Sequence, residues 1–70
     1  MSHRGSIDPL RAVLYEQGRS LVWLARNVGV SRQVIYLWAW GEKRVPAWRA
    51  REIERLLGVP ASQLFPNVED

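Results

Sequence analysis

Apolar residues recur along this chain three and four residues apart, the spacing that places them on one face of an α-helix. No segment alternates apolar and polar residues in the manner of a strand. Glycine and proline separate the periodic stretches from one another. The pattern predicts helices over residues 9–17, 21–28, 31–40 and 46–57, and a short fifth one from Pro60 to Phe65. We therefore expect an all-α protein with short loops and a single core.

Residues that cap helices stand at the predicted boundaries. Asp8 precedes Pro9 and is predicted to cap the first helix, whereas Ser20 and Ser31 are predicted to cap the second and third. A glycine follows each of the four longer helices and suits the left-handed conformation in which many helices end. These predicted stop residues are Gly18, Gly29, Gly41 and Gly58.

The length restricts the chain to one small domain. Its 70 residues are 47% hydrophobic, which suits a globular protein with a thin core. Residues 1–7 carry no helical periodicity, and we expect them to be a flexible N-terminal arm or a remnant of expression. Residues 8–66 are expected to form the domain, and residues 67–70 a loose tail.

The composition argues against catalysis and metal binding. Cysteine is absent, and the one histidine, His3, lies in the polar leader. An enzyme would have to use Glu52 and Glu54, which lie two residues apart on a helix and point in different directions. We expect no enzymatic activity, no cofactor, no metal and no small-molecule substrate. No apolar run approaches the length of a membrane span and no secretion signal is present, so we expect a cytoplasmic protein without a membrane partner.

Positive charge is concentrated in the middle of the chain. The segment from Gly18 to Arg51 contains seven cations and one acid, Glu42, for a net charge of +6, whereas the charges of the remaining residues sum to −3. Nine of the ten cations are arginine, whose planar guanidinium suits phosphate groups and guanine edges. Such a basic segment indicates an anionic partner, commonly nucleic acid, or a basic face that is merely solvated.

The segment from Leu21 to Trp40 has the spacing of two helices that cross at a tight turn. Ala25 is small where the next helix must approach closely, and Gly29 suits the chain reversal four residues later. Val30 is expected to point into the core, and Ile35 and Trp38 to face the preceding helix. The combination favours a DNA-binding helix-turn-helix over an ordinary helical hairpin with a glycine turn.

The residues that carry this pattern resemble a known family. The motif Gly18-x-Ser20-x-x-x-Leu24-Ala25-x-x-x-Gly29-Val30-Ser31-x-x-x-Ile35-x-x-Trp38-x-x-Gly41 is similar to that of the Cro/repressor-type (XRE-like) helix-turn-helix family of phages and their hosts. Its continuation resembles small phage Cro-like and YdaS-type regulators, through Val45-Pro46, Ile53-Glu54, Gly58-Val59 and Leu64-Phe65-Pro66. The resemblance covers about residues 9–66. It implies a compact five-helix lambda-repressor-like domain that binds DNA and represses transcription, usually as a dimer.

In such a domain the second helix of the pair lies in the major groove, with its first residues over the base edges. Base-reading is therefore predicted for Arg32, Gln33, Tyr36 and Leu37. Tyr36, Leu37 and Trp40 are unusually bulky for this face. They contact thymine methyl groups or sugars, bury against a partner subunit, or enlarge a small core. For Trp40, packing or a sugar-phosphate contact is the preferred interpretation.

Phosphate contacts are predicted from the rim of the same surface. The residues assigned to them are Arg19, Ser20, Ser31, Trp40, Lys43, Arg44 and Arg49. The amide end of the fourth helix near Ala47 is a further candidate. Trp23 is expected to be exposed or covered by a neighbour, and Trp48 to pack near the loop between the third and fourth helices.

The leading hypothesis is a sequence-specific double-stranded DNA-binding transcription regulator, a phage or prophage Cro-like repressor that occludes an operator. One such domain buries a limited area, so we expect a homodimer at least on DNA, with residues 59–65 and the tail as the candidate contact. The alternative is an antitoxin-like or accessory protein whose main partner is another protein.

Overall fold

Four α-helices make up most of the part of the chain that the structure describes. The computed structural model describes residues 5–69, and a 3-10 turn follows the last helix. The helices are α1 (Asp8–Glu16), α2 (Leu21–Val28), α3 (Arg32–Trp40) and α4 (Ala47–Leu57), and the 3-10 turn is Ala61–Gln63. No strand forms within these residues, so the all-α prediction is confirmed. The predicted fifth helix is only a 3-10 turn, because Pro60 and Pro66 leave too little chain between them for a longer element.

Serine side chains cap α2 and α3 as predicted. The Ser20 hydroxyl accepts a hydrogen bond from the Trp23 amide at 3.0 Å, and the Ser31 hydroxyl accepts one from the Val34 amide at 3.3 Å. The prediction for α1 differs by one residue. Asp8 is the first helical residue rather than the cap, and its amide donates to the Ser6 hydroxyl at 3.1 Å.

The reversal between α2 and α3 takes three residues. Gly29 has φ +81°, a left-handed conformation that glycine adopts without strain. The Val30 amide then bonds back to the Ala25 carbonyl at 3.0 Å, which closes the end of α2 and turns the chain toward α3. The same arrangement ends α3, where Gly41 has φ +80° and the Glu42 amide bonds to the Leu37 carbonyl at 3.0 Å.

The core lies where all four helices and the 3-10 turn meet. Ala25 and Trp38 are buried as predicted, and Ile35 is wholly buried. The Trp38 ring meets the edge of Phe65 with centroids 6.2 Å apart. Leu64 and Phe65 are also buried within this chain, so the predicted dimer contact over residues 59–65 is wrong for its largest side chains.

The segments that flank the domain are attached to it. Residues 67–69 were expected to be loose, but Val45 and Val68 form a parallel bridge. The Val45 amide donates to the Asn67 carbonyl and the Glu69 amide donates to the Val45 carbonyl, both at 2.9 Å. Burial of Val45 makes these bonds valuable, because its polar backbone groups would otherwise lack partners.

The N-terminal segment also contacts the end of α3. The Gly5 amide donates to the Trp40 carbonyl at 3.0 Å, and Ile7 packs against the core. The flexible arm predicted over residues 1–7 is therefore attached from Gly5 onward, and residues 1–4 lie outside the described residues. Within the described part of the chain, no helix is long and apolar enough to cross a membrane.

Candidate nucleic-acid interface

One edge of α3 projects from the protein at its N-terminal end. Arg32 and Gln33 in the first turn are exposed, whereas Ile35 is fully buried and Trp38 is 2% exposed. The buried side of α3 packs against α2, which supports the helix from behind. The polar first turn is thus accessible to a ligand. We call the exposed edge of this helix the α3 face, comprising Arg32, Gln33, Tyr36, Leu37 and Trp40.

The C-terminal half of the α3 face is aromatic and only half-exposed. The rings of Tyr36 and Trp40 stack with centroids 5.5 Å apart and planes inclined by 29°. Leu37 beside them is also half-buried. This geometry agrees with packing inside the protein, one of the three interpretations of these bulky residues, and leaves part of each side chain accessible.

An arginine from α1 reaches the α3 face. The Nη2 atom of Arg11 donates a hydrogen bond to the Tyr36 hydroxyl at 3.2 Å, and Arg11 is itself exposed. Sequence reasoning missed this residue because 25 positions separate the two partners and Arg11 lies outside the basic central segment. Its position on an outward-facing part of α1 was the only available signal.

The predicted phosphate ligands at the rim lie at both ends of the α2–α3 pair. Arg19 is exposed just before α2, and its guanidinium carbon lies 4.4 Å from the centroid of the Trp23 ring. Trp23 is therefore covered by a neighbour, one of its two predicted environments. Lys43 and Arg44 are exposed in the loop after α3, next to the buried Val45.

Arg49 is occupied within the protein, in contrast to its predicted phosphate contact. Its Nη1 atom donates to the Val28 carbonyl at the end of α2 and lies 3.4 Å from Glu52 Oε1. Its guanidinium also stacks on Trp48, with the guanidinium carbon 4.1 Å from the ring centroid. Trp48 is 59% exposed, so the packing predicted for it near the α3–α4 loop can cover only part of its side chain.

The first amide of α4 is also hydrogen-bonded within the protein. The Ala47 amide donates to Oε1 of Glu69 at 3.3 Å, so a carboxylate from the C-terminal segment lies where an incoming phosphate was expected. The basic rim therefore consists of Arg19, Lys43 and Arg44, with Arg11 added. Arg49 and the Ala47 amide are instead bonded within the protein.

Comparison with protein families identifies the chain. The family model described as bacterial toxin YdaS matches residues 14–70, which include part of α1 and everything after it. No curated protein and no solved structure gives a significant match. The resemblance to YdaS-type proteins is thus confirmed, and the chain belongs to the YdaS family.

Proposed function

We propose that this protein is a regulator of transcription that binds double-stranded DNA through a lambda-repressor-like helix-turn-helix formed by α2 and α3. The observation that carries the proposal is the exposure of Arg32 and Gln33 at the start of a helix whose opposite side is buried against α2. This arrangement matches the way in which the second helix of such a pair enters the major groove.

Base recognition is assigned to the first turns of α3. Arg32 donates two hydrogen bonds to a guanine edge, and Gln33 pairs with adenine. Leu37, half-buried one turn further along, meets a thymine methyl group. Tyr36 lies at the border between the base edges and the sugar-phosphate backbone, beside Arg11, whose guanidinium donates to its hydroxyl.

Phosphate binding is assigned to both ends of the helix pair. Arg19 and the amide end of α2 at Ser20 bind phosphates of one DNA strand. Lys43 and Arg44 bind phosphates of the other strand. The amide end of α3 at Ser31 and the ring edge of Trp40 contribute beside the groove. Specific binding is completed by a second copy on a half-site about 34–36 Å away. Repression then follows from occupying an operator that RNA polymerase needs.

The test is a titration of labelled DNA with the purified protein. A mixed-sequence duplex in low salt is expected to bind at micromolar protein, because the rim carries several exposed cations. Selection from a pool of randomised duplexes is expected to yield an operator that binds at least tenfold more tightly. Absence of duplex binding at micromolar protein in low salt would overturn the proposal.

A second candidate function is binding to another protein as the main target, as expected of an antitoxin-like or accessory protein. Two observations favour it. The family description names a toxin, and Tyr15 and Trp48 are large apolar side chains that are 86% and 59% exposed.

Induced expression in a bacterial host separates the two candidates. If growth slows with the wild-type protein but not with the Arg32→Ala variant, the effect depends on DNA. If both slow growth equally while Arg32→Ala fails to bind the selected operator, a protein target is favoured. Neither candidate requires catalysis, a cofactor or a metal.

A further inference from the structure

We infer that Arg11 belongs to the DNA interface, where it joins Tyr36 and Arg19 in one track that binds the sugar-phosphate backbone of a single strand beside α3. The inference rests on the proposed function and extends it to a helix that sequence reasoning left out. Arg11 also precedes residue 14, where the family match begins, so family membership does not assign it a role.

Most of the hydrogen-bonding capacity of the Arg11 guanidinium is unused. Its one described partner is the hydroxyl of Tyr36, a neutral group, at 3.2 Å. No carboxylate within residues 5–69 forms a salt bridge with it, so its positive charge is uncompensated there. A guanidinium has five N–H donors, and the bond to Tyr36 uses one. Donors and charge therefore remain for a phosphate.

Tyr36 is the partner of Arg11 on the α3 face. Its hydroxyl accepts from Arg11 and still has its own proton to donate. The ring is fixed from the other side by its stack on Trp40. Arg11 thus positions the Tyr36 hydroxyl, and one phosphate oxygen placed beside the pair would receive hydrogen bonds from both. Charge-assisted bonds of this kind are the strong ones.

A surface groove lies next to this pair of side chains. Arg11 and Arg19 line the same surface groove of about 340 Å³, with Leu14, Tyr15 and Leu21. Arg19 stacks its guanidinium face over Trp23, which leaves the N–H groups at its edge available. The groove therefore holds two separate cations for successive phosphates.

A DNA strand is the occupant that these observations favour. The hydrogen bond from Arg11 to Tyr36 makes the groove continuous with the α3 face. When α3 lies in the major groove, the backbone that borders that groove passes along the side of the helix. An acidic peptide would also supply carboxylates for the two arginines, but a site for such a peptide would not need to lie next to the α3 face.

The experiment measures how affinity for the selected operator depends on salt. Arg11→Ala is expected to lower the magnitude of the negative slope of log K against log salt by about 0.9, the value for one phosphate. Arg11→Ala combined with Arg19→Ala is expected to lower it by about 1.8. The matched control is Arg55→Ala, which removes an exposed arginine from α4 and is expected to leave the slope unchanged. Thermal melting of each variant checks that it is folded.

Tyr36→Phe tests the coupling between the two residues. It keeps the stack on Trp40 and removes only the hydroxyl. We expect it to weaken binding in the wild-type background and to have little further effect beside Arg11→Ala. Arg11→Gln retains an amide donor for Tyr36 without the charge. It should therefore lower the magnitude of the salt slope as Arg11→Ala does. In the Arg11→Gln background, Tyr36→Phe should still weaken binding.

Several results would overturn the inference while the proposed function stands. One is wild-type binding to the operator with a salt slope that Arg11→Ala does not change. Another is a Tyr36→Phe substitution that weakens operator binding equally in the wild-type and Arg11→Ala backgrounds. A third is binding of polyglutamate that requires Arg11 while operator binding does not, which would assign the groove to an acidic peptide. Failure of the wild-type protein to bind any duplex would instead overturn the proposed function.

Discussion

Arg49 of α4 donates a hydrogen bond to the main-chain carbonyl of Val28, the last residue of α2. The carbonyl groups at the end of a helix lack partners within it, and a cation suits them because the helix dipole is negative there. The bond holds α4 against the α2–α3 pair at the turn where the chain reverses. An arginine predicted to bind DNA is thus a residue that stabilises the fold.

Replacing Arg49 should therefore lower stability rather than DNA affinity. We expect Arg49→Met to reduce the free energy of unfolding by about 1.5 kcal/mol, the lower end of the range for a hydrogen bond to a charged group, since the side chain is 21% exposed. Urea denaturation measures it. Arg51→Met, at an exposed neighbouring position, is the control and should change stability by less than about 0.5 kcal/mol. Equal stability of the two variants would contradict the assignment.

The crossing of α2 and α3 depends on the small side chain of Ala25, which is 5% exposed. Ala25→Leu should destabilise the protein by about 1–3 kcal/mol, because the added atoms enter a filled core. Ala12→Leu makes the same chemical change at an exposed position of α1 and should be nearly neutral. Thermal melting compares them. An unchanged melting temperature for Ala25→Leu would mean that the helices are not in close contact.

Gly41 and Gly18 offer a matched test of the end of α3. Both have positive φ, so alanine is strained at either position by about 1–2 kcal/mol. A Cβ at Gly41 would lie 2.8 Å from Cγ of Pro66, whereas one at Gly18 meets nothing within 4 Å. Gly41→Ala should therefore cost more stability than Gly18→Ala in chemical denaturation.

Pro66→Ala provides the control for that comparison. Because it removes the Cγ atom, it should recover the excess cost of Gly41→Ala and leave the cost of the backbone strain. If Gly41→Ala and Gly18→Ala destabilise the protein equally, the C-terminal segment does not pack against the end of α3.

Arg32 and Arg44 should differ in how they affect DNA binding. Arg32→Ala is expected to lose about 1–3 kcal/mol on the selected operator and to relax preference at one base position. Arg44→Ala should weaken binding to selected and mixed-sequence duplexes alike and lower the magnitude of the salt slope by about one unit. Titrations on both duplexes at several salt concentrations test this. An Arg32→Ala variant that binds the operator as tightly as the wild type would refute the placement of α3.

Local signals account for the parts of the fold that sequence reasoning predicted well. The bounds of α2 agree with prediction because Ser20 and Gly29 act on backbone groups within a few residues of themselves. The roles of Arg49 and Glu69 could not be predicted in this way. Each binds a backbone group 21 or 22 residues away, and which one it reaches depends on how the helices pack. Arg11 is the same case on the α3 face, 25 residues from Tyr36.

The attachment of both flanking segments beside the C-terminal end of α3 has a practical consequence. Gly5 bonds to Trp40 there, and Pro66 lies against Gly41. The distance along α3 from Trp40 back to Arg32 is roughly 12 Å at 1.5 Å per residue. Since the sequence has no cysteine, a single cysteine introduced at Ser6 would attach the protein to a sensor chip at the C-terminal end of α3. The first turn of α3 would then be directed away from the support.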